Sequence, residues 1–224
     1  LFAVQIENGY ASYGNDVANL EALVRMVRAS GFNGILNTAD GDSDTRLATE
    51  PIDGVWKTLM LGERPEVGLE VLSRQQPGLP AMVSEFWVGQ GMRAGVPRRL
   101  RDTAVIARDL DRLLAAGAHV GLYMFHGGTN FGFMSGGLVQ QAPERFEPFV
   151  TSYDTQAPLD ESGEPTPKYH ALREVLARPA PGAVASAPIP AGPPKRAYGR
   201  TPLTGWAPLW PQVEKLATSV HRAT

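Results

Sequence analysis

The sequence contains no cysteine. This excludes a disulfide framework, a thiolate metal site and a thiol nucleophile, and it leaves the cellular compartment open. The formal net charge is only −2, with acids and bases mixed along the chain, so no nucleic-acid or membrane surface is expected. No apolar run reaches the ~20 residues that a membrane helix needs. Histidine is scarce, with four scattered residues, and this argues against a metal site. The glycine-rich stretch His126-Gly127-Gly128-Thr129-Asn130 lacks the lysine and the spacing of a phosphate loop. No Gly-x-Ser-x-Gly elbow is present. Neither a metal nor an organic cofactor is expected.

What is present is an ordinary globular composition, 43% hydrophobic and 20% charged over 224 residues, enough for a sizeable core. Leu1-Phe2-Ala3-Val4 enters directly into an apolar strand without a methionine. Natural termini are usually frayed and polar, so this start predicts a chain cut from something longer.

Two segments carry a helical stripe. Val17, Leu20, Leu23, Val24 and Val27 predict a helix over Asp16–Ser30, stopped by Gly31. Val105, Ile106, Leu110, Leu113 and Leu114 predict another over Asp102–Ala116, with Asp102 as its cap. A third runs from Pro167 or Lys168 to Ala177, ended by Pro179. Short apolar runs predict strands at Phe2–Asn8, Gly34–Asn37, Met82–Phe86 and Val120–Phe125. Long loops separate the second strand from the third, the third from the Asp102 helix, and the fourth from the last helix. Strands alternating with helices predict a parallel α/β sheet or barrel. Polar and aromatic residues crowd the C-terminal ends of these strands: Glu7-Asn8, Asn37-Thr38, Glu85-Phe86-Trp87 and His126 to Asn130. In a (β/α)8 barrel, that end carries the active site. From Pro179 to Pro194 the chain is rich in Pro and Ala, as a stiff linker is. Tyr198 to Thr224 holds Trp206, Leu209, Trp210 and Val213, too little for a core of its own.

Ser84-Glu85-Phe86-Trp87 is the leading catalytic candidate. A glutamate at a strand end between aromatics can be held rigidly in a cleft, and an aromatic beside a carboxylate offers a platform for a sugar ring. Residue type equally allows a structural ion pair. Glu7-Asn8 is the second candidate, with ion pairing and turn capping as its structural alternative. If the strand stays regular, residue 9 lies on the side of Glu7, about one layer (~6–7 Å) nearer the mouth. That residue is Gly9, which offers only backbone. His126 is a further candidate ligand or catalyst. Two glutamates from different strand ends, with aromatics, suggest cleavage of glycosidic bonds. Retaining glycosidases set two carboxyls ~5–5.5 Å apart.

Several stretches together resemble the family 35 glycoside hydrolases, the β-galactosidases. They are VQIEN with Tyr13-Gly14, SEFW, RDTAVIARDLDRLLAAGA, LYMFHGGTNFGFMSG, and TSYD followed by APLDESGEPTPKYHALREVL. The resemblance covers most of residues 1–178. It implies an α/β fold in which 1–178 form the C-terminal half of a TIM barrel, about strands 4 to 8. A linker at 179–196 and the beginning of a β-rich domain at 197–224 would follow. It implies a retaining exo-β-galactosidase acting on β-galactosides, with Glu85 as nucleophile. The acid/base carboxylate of the family follows the Asn of an IENEYG-like motif. Asn8 matches that Asn, so Gly9 occupies the place of the missing acid/base. Glu7 matches the motif's other glutamate. Substrate contacts map to Asn8 for the 2-hydroxyl, Trp87 as a wall of the sugar pocket, Tyr123 orienting the nucleophile, and Tyr153. The family's second tyrosine near Tyr153 is Thr155 here, and Val88 to Gly95 depart from its aromatic-rich pattern. The alternative implied by Gly9 and Thr155 is an inactive carbohydrate-binding relative. Open barrel edges imply self-association.

Overall fold

The computed structural model of the chain describes residues 1–43, 47, 51–89, 91–97, 100–131, 134–141, 144–153, 156–178, 187–192, 194–212 and 215. Two units result, Leu1–Ile189 and Pro190–Thr224.

The first unit is an α/β fold around a curled, parallel half-barrel of five strands. In chain order these are β1 (Ala3–Asn8), β2 (Ile35–Asp40), β3 (Val55–Leu61), β4 (Met82–Trp87) and β5 (His119–Tyr123), and they pair in that same order. Helix α1 (Val17–Ala29) links β1 to β2, α2 (Pro65–Gln75) links β3 to β4, and α3 (Thr103–Ala115) links β4 to β5. An antiparallel hairpin, β6 (Gly137–Gln141) and β7 (Glu144–Pro148), precedes α4 (Pro167–Leu176). Among the described residues, no helix is long and apolar enough to cross a membrane.

The three expected helices form, each within a residue or so of its expected bounds, because their caps are local. Asp16 accepts from the backbone N–H groups of Ala18 and Asn19, and Asp102 from those of Ala104 and Val105. Thr166 caps α4 ahead of Pro167. The core lies between the sheet's outer face and the helices. Leu59, Leu61, Val83 and Phe86 of the sheet meet Val71 and Leu72 of α2, Ile106, Leu110 and Leu113 of α3, and Leu172 and Val175 of α4.

The long loop expected between the second and third strands is a correction. It holds β3 and α2, and the strand begun at Gly34–Asn37 runs on to Asp40. Lys57 interrupts the apolar run of β3, yet it is buried, because its Nζ donates to the Leu47 carbonyl at 2.9 Å and to Gln75 Oε1 at 2.8 Å. Gly68 interrupts the stripe of α2. A Cβ there would lie 3.1 Å from Leu61 Cδ2, so the glycine lets helix and strand approach closely. The loop expected after β5 contains the β6–β7 hairpin. Within the second unit, among the described residues, the one helical element is a 3-10 turn at Trp210–Gln212, and Trp206 and Trp210 are exposed. Residues 179–186 and 193 of the expected linker, residues 213, 214 and 216–224 of the expected domain, and Thr155 lie outside the described residues.

Candidate active site

Glu85 owes its direction to a bulge. Leu59 pairs with Val83 and Met60 with Glu85, so β4 carries one residue, Ser84, that β3 does not match. The same extra residue appears against β5, where Val83 pairs with Val120 and Phe86 with Leu122. Val83 and Phe86 therefore both face the helices, and Glu85 turns to the inside of the half-barrel with Met60. Gly121 accommodates the bulge. A Cβ there would stand 2.5 Å from the Ser84 carbonyl oxygen. A glycine inside a strand is the sequence signal for such a close approach.

Four of the expected site residues come together on this inner face. The Trp87 indole Nε1–H donates to Glu85 Oε2 at 3.0 Å. Trp87 pairs in register with Tyr123. The Tyr123 and Tyr153 hydroxyls lie 3.3 Å apart. Tyr153 is fixed by its backbone N–H on the Gly128 carbonyl at 2.9 Å and by its ring, 5.8 Å from that of Phe149. Burial, then the Tyr153 hydroxyl, then the charge of Glu85 hold Tyr123 well above the ordinary tyrosine range, so Tyr123 remains a neutral hydroxyl donor. The partner assignments differ from expectation in one respect: Trp87 is the residue that bonds Glu85 directly. Arg101 braces the strand end through its Nη1 on the Trp87 carbonyl.

The β1 end is built differently. A bulge between Gln5 and Glu7 breaks the regular alternation. Glu7 is in register with Thr38 and Asn8 with Ala39, so Asn8 shares the inner face and is exposed there, accepting from Gln5 Nε2 at 3.0 Å. Gly9 is buried and left-handed, with φ at 72°. The Cβ direction at position 9 points to Met60 Cε at 3.5 Å. The expected placement of position 9 on the side of Glu7 does not hold, because Gly9 begins the turn Tyr10–Ser12 instead of extending the strand.

Glu7 is a brace. Its Oε2 accepts from Tyr10 N at 2.6 Å and its Oε1 from Ala39 N at 3.2 Å. Asp40 does the same for Ala11 N, at 3.0 Å. Burial and then the neighbouring Asp40 charge push Glu7 up to about 7, against the pull of the two backbone N–H groups. Burial also holds Asp40 above the ordinary carboxylate range. His126 is exposed, with Nε2 3.3 Å from the Glu161 carbonyl, and it bridges to Leu159 outside the main sheet. Among the described residues, no group of three His, Asp or Glu side chains could hold a metal ion.

The Glu85 carboxylate, bonded by the Trp87 indole and near Tyr123, thus lies at the C-terminal mouth of a parallel half-barrel, the end at which barrel enzymes build their sites. The chain belongs to the family described as Glycosyl hydrolases family 35, which it matches over residues 1–178. It is 39% identical to a β-galactosidase of Mus musculus over 91% of this chain and 31% of the relative. It is 35% identical to a β-galactosidase of Xanthomonas manihotis over 94% of this chain and 35% of the relative. For β-galactosidase 1 of Dictyostelium discoideum the figures are 32% identity, 98% of this chain and 35% of the relative. The chain thus spans about a third of the length of the relatives it matches.

Proposed function

We propose that the chain carries the nucleophile side of a retaining exo-β-galactosidase site, with Glu85 as nucleophile and Gly9 at the place of the acid/base. On this reading, β1 to β5 hold places from about the fourth strand onward of a TIM barrel, residues 1–178 belong to that barrel, 179–196 link it onward, and 197–224 begin a β-rich domain. The observation that carries the proposal is the Glu85 carboxylate, turned inward by the Ser84 bulge and bonded by Trp87 Nε1–H.

The chemistry follows from the donors. Glu85 attacks the anomeric carbon of a terminal β-galactoside, and the departing oxygen takes the bonding pair. The indole N–H orients the attacking carboxylate. Tyr123, neutral and bonded to Tyr153, donates toward the same centre. Asn8 is the group for the 2-hydroxyl, a contact that strengthens in the transition state. With glycine at position 9, a poor leaving group receives no proton and the water of the second step loses no proton, so ordinary galactosides react ~10²–10⁴-fold more slowly. A leaving group that departs without protonation escapes the first penalty. The names of the relatives speak for the enzyme over the binding-only alternative.

A 2-deoxy-2-fluoro-β-galactoside with an activated leaving group tests this, because it needs the nucleophile and not the acid. Intact mass and peptide mapping are expected to place one galactosyl adduct on Glu85. A folded chain that takes no adduct, or takes it elsewhere, overturns the assignment.

A further inference from the structure

Gly9, Met60 and Glu85 form a line across the inner face of the sheet. In a parallel barrel, each interior layer draws side chains from alternate strands. Thus β1 and β3 contribute to one layer, and Met60 is the β3 side chain that reaches position 9. Its Cε stands 3.5 Å from where a Cβ at residue 9 would be. Its Cα pairs with that of Glu85, so the two side chains leave the sheet side by side, about one strand spacing (~4.8 Å) apart. Met60 is half-buried and Gly9 is buried. The lane between the nucleophile and the acid/base position is therefore flanked by a thioether, which has no proton to give and is a poor base.

We propose that Met60 gates the second half-reaction, keeping small nucleophiles from the galactosyl ester on Glu85. The inference rests on Glu85 being the nucleophile. Once that ester has formed, the incoming group must attack C1 from the face opposite Glu85, through the lane beside position 9. The flexible, apolar side chain of methionine fills irregular space of this kind and leaves less room there for water or a small anion. Met60 thereby decides which acceptors resolve the ester.

The test separates the two half-reactions. Wild type, M60A and M60L are labelled with the 2-deoxy-2-fluoro reagent, freed of excess reagent and given azide, and loss of the adduct mass is followed. Azide attacks C1, a C–N bond forms, the C–O bond to Glu85 breaks, and its electron pair returns to the carboxylate. Azide's charge passes to Glu85 and no proton is needed. M60A is expected to shed the adduct about tenfold faster or more at the same azide concentration. M60L, which keeps the bulk, is expected to match wild type in this release. If M60A does not fold, by its thermal melt, M60V is the smaller step and is expected to fall between. Equal release from wild type and the shortened variants overturns the gate and leaves Glu85 as nucleophile. No adduct on folded wild type overturns the nucleophile, and the gate with it.

Discussion

At the scale of single residues, the candidate site divides into groups held for chemistry and groups held for shape. Trp87 belongs to the first. Replacing it with Phe removes the N–H on Glu85 and keeps an aromatic wall. Without that bond the carboxylate is free to turn away from the attacking geometry, and labelling of Glu85 is expected to slow by about tenfold or more, read from the rate of mass gain. Glu7 belongs to the second. Its folded value of about 7 lies above its ordinary 4.5, so the folded state holds the proton more tightly than the unfolded state. Its contribution to stability is complete below pH 4.5 and is lost as pH rises through 7. Urea unfolding between those pH values is expected to show stability falling in wild type and falling less in E7Q, whose amide cannot titrate. Asp40 is raised in the same direction, so its contribution has the same sign. At position 9, the left-handed φ of 72° makes any side chain costly. G9E is expected to lose about 1–2 kcal/mol in the same unfolding measurement, and an unchanged midpoint would refute this.

At the scale of elements, the sequence was most readable where structure is locally determined. The apolar stripes marked α1 and α3, Asp102 marked the start of α3, Pro167 and Pro179 bounded α4, and the short runs marked β1, β2, β4 and β5. What stayed hidden needed a partner to make sense. Lys57 reads as a break until the Leu47 carbonyl and Gln75 are seen to satisfy it. Gly68 reads as helix-breaking until Leu61 is seen against it. In the site, SEFW pointed to Glu85, but period-two counting could not anticipate that Ser84 is the extra residue that turns it inward. Gly121 was the available clue. G121A would drive a Cβ into the Ser84 carbonyl, 2.5 Å away, which is backbone and cannot swing aside. We expect a loss of about 1–3 kcal/mol or more, seen as a lower melting temperature, together with slower labelling of Glu85. Slower labelling without destabilisation would contradict the packing argument.

At the scale of the whole molecule, the half-barrel is an incomplete enclosure. Among the described residues, β1 and β5 each have one paired neighbour, so each presents an unpaired edge. A cavity of about 1040 Å³ opens at the N-terminal ends of the strands, lined by Phe2, Ile35, Trp56, Leu79, Met82 and His119 among others. It lies at the opposite end of the sheet from Glu85, lined also by the end of α2 and the β2–β3 loop, so it is distinct from the Glu85 cluster. Unpaired edges are templates for pairing with another chain. Sedimentation of the isolated chain is expected to show concentration-dependent self-association. A monodisperse monomer over the accessible range would show that the edges are silent.

The brace at the end of β1 has a consequence for how such a chain drifts over generations. Glu7 and Asp40 hold the turn after Gly9 by its backbone N–H groups, and the left-handed backbone of that corner favours glycine at position 9. Selection for folding alone would then preserve the two bracing carboxylates and the glycine they enclose, so the frame of this corner would outlast changes in whatever chemistry takes place beside it.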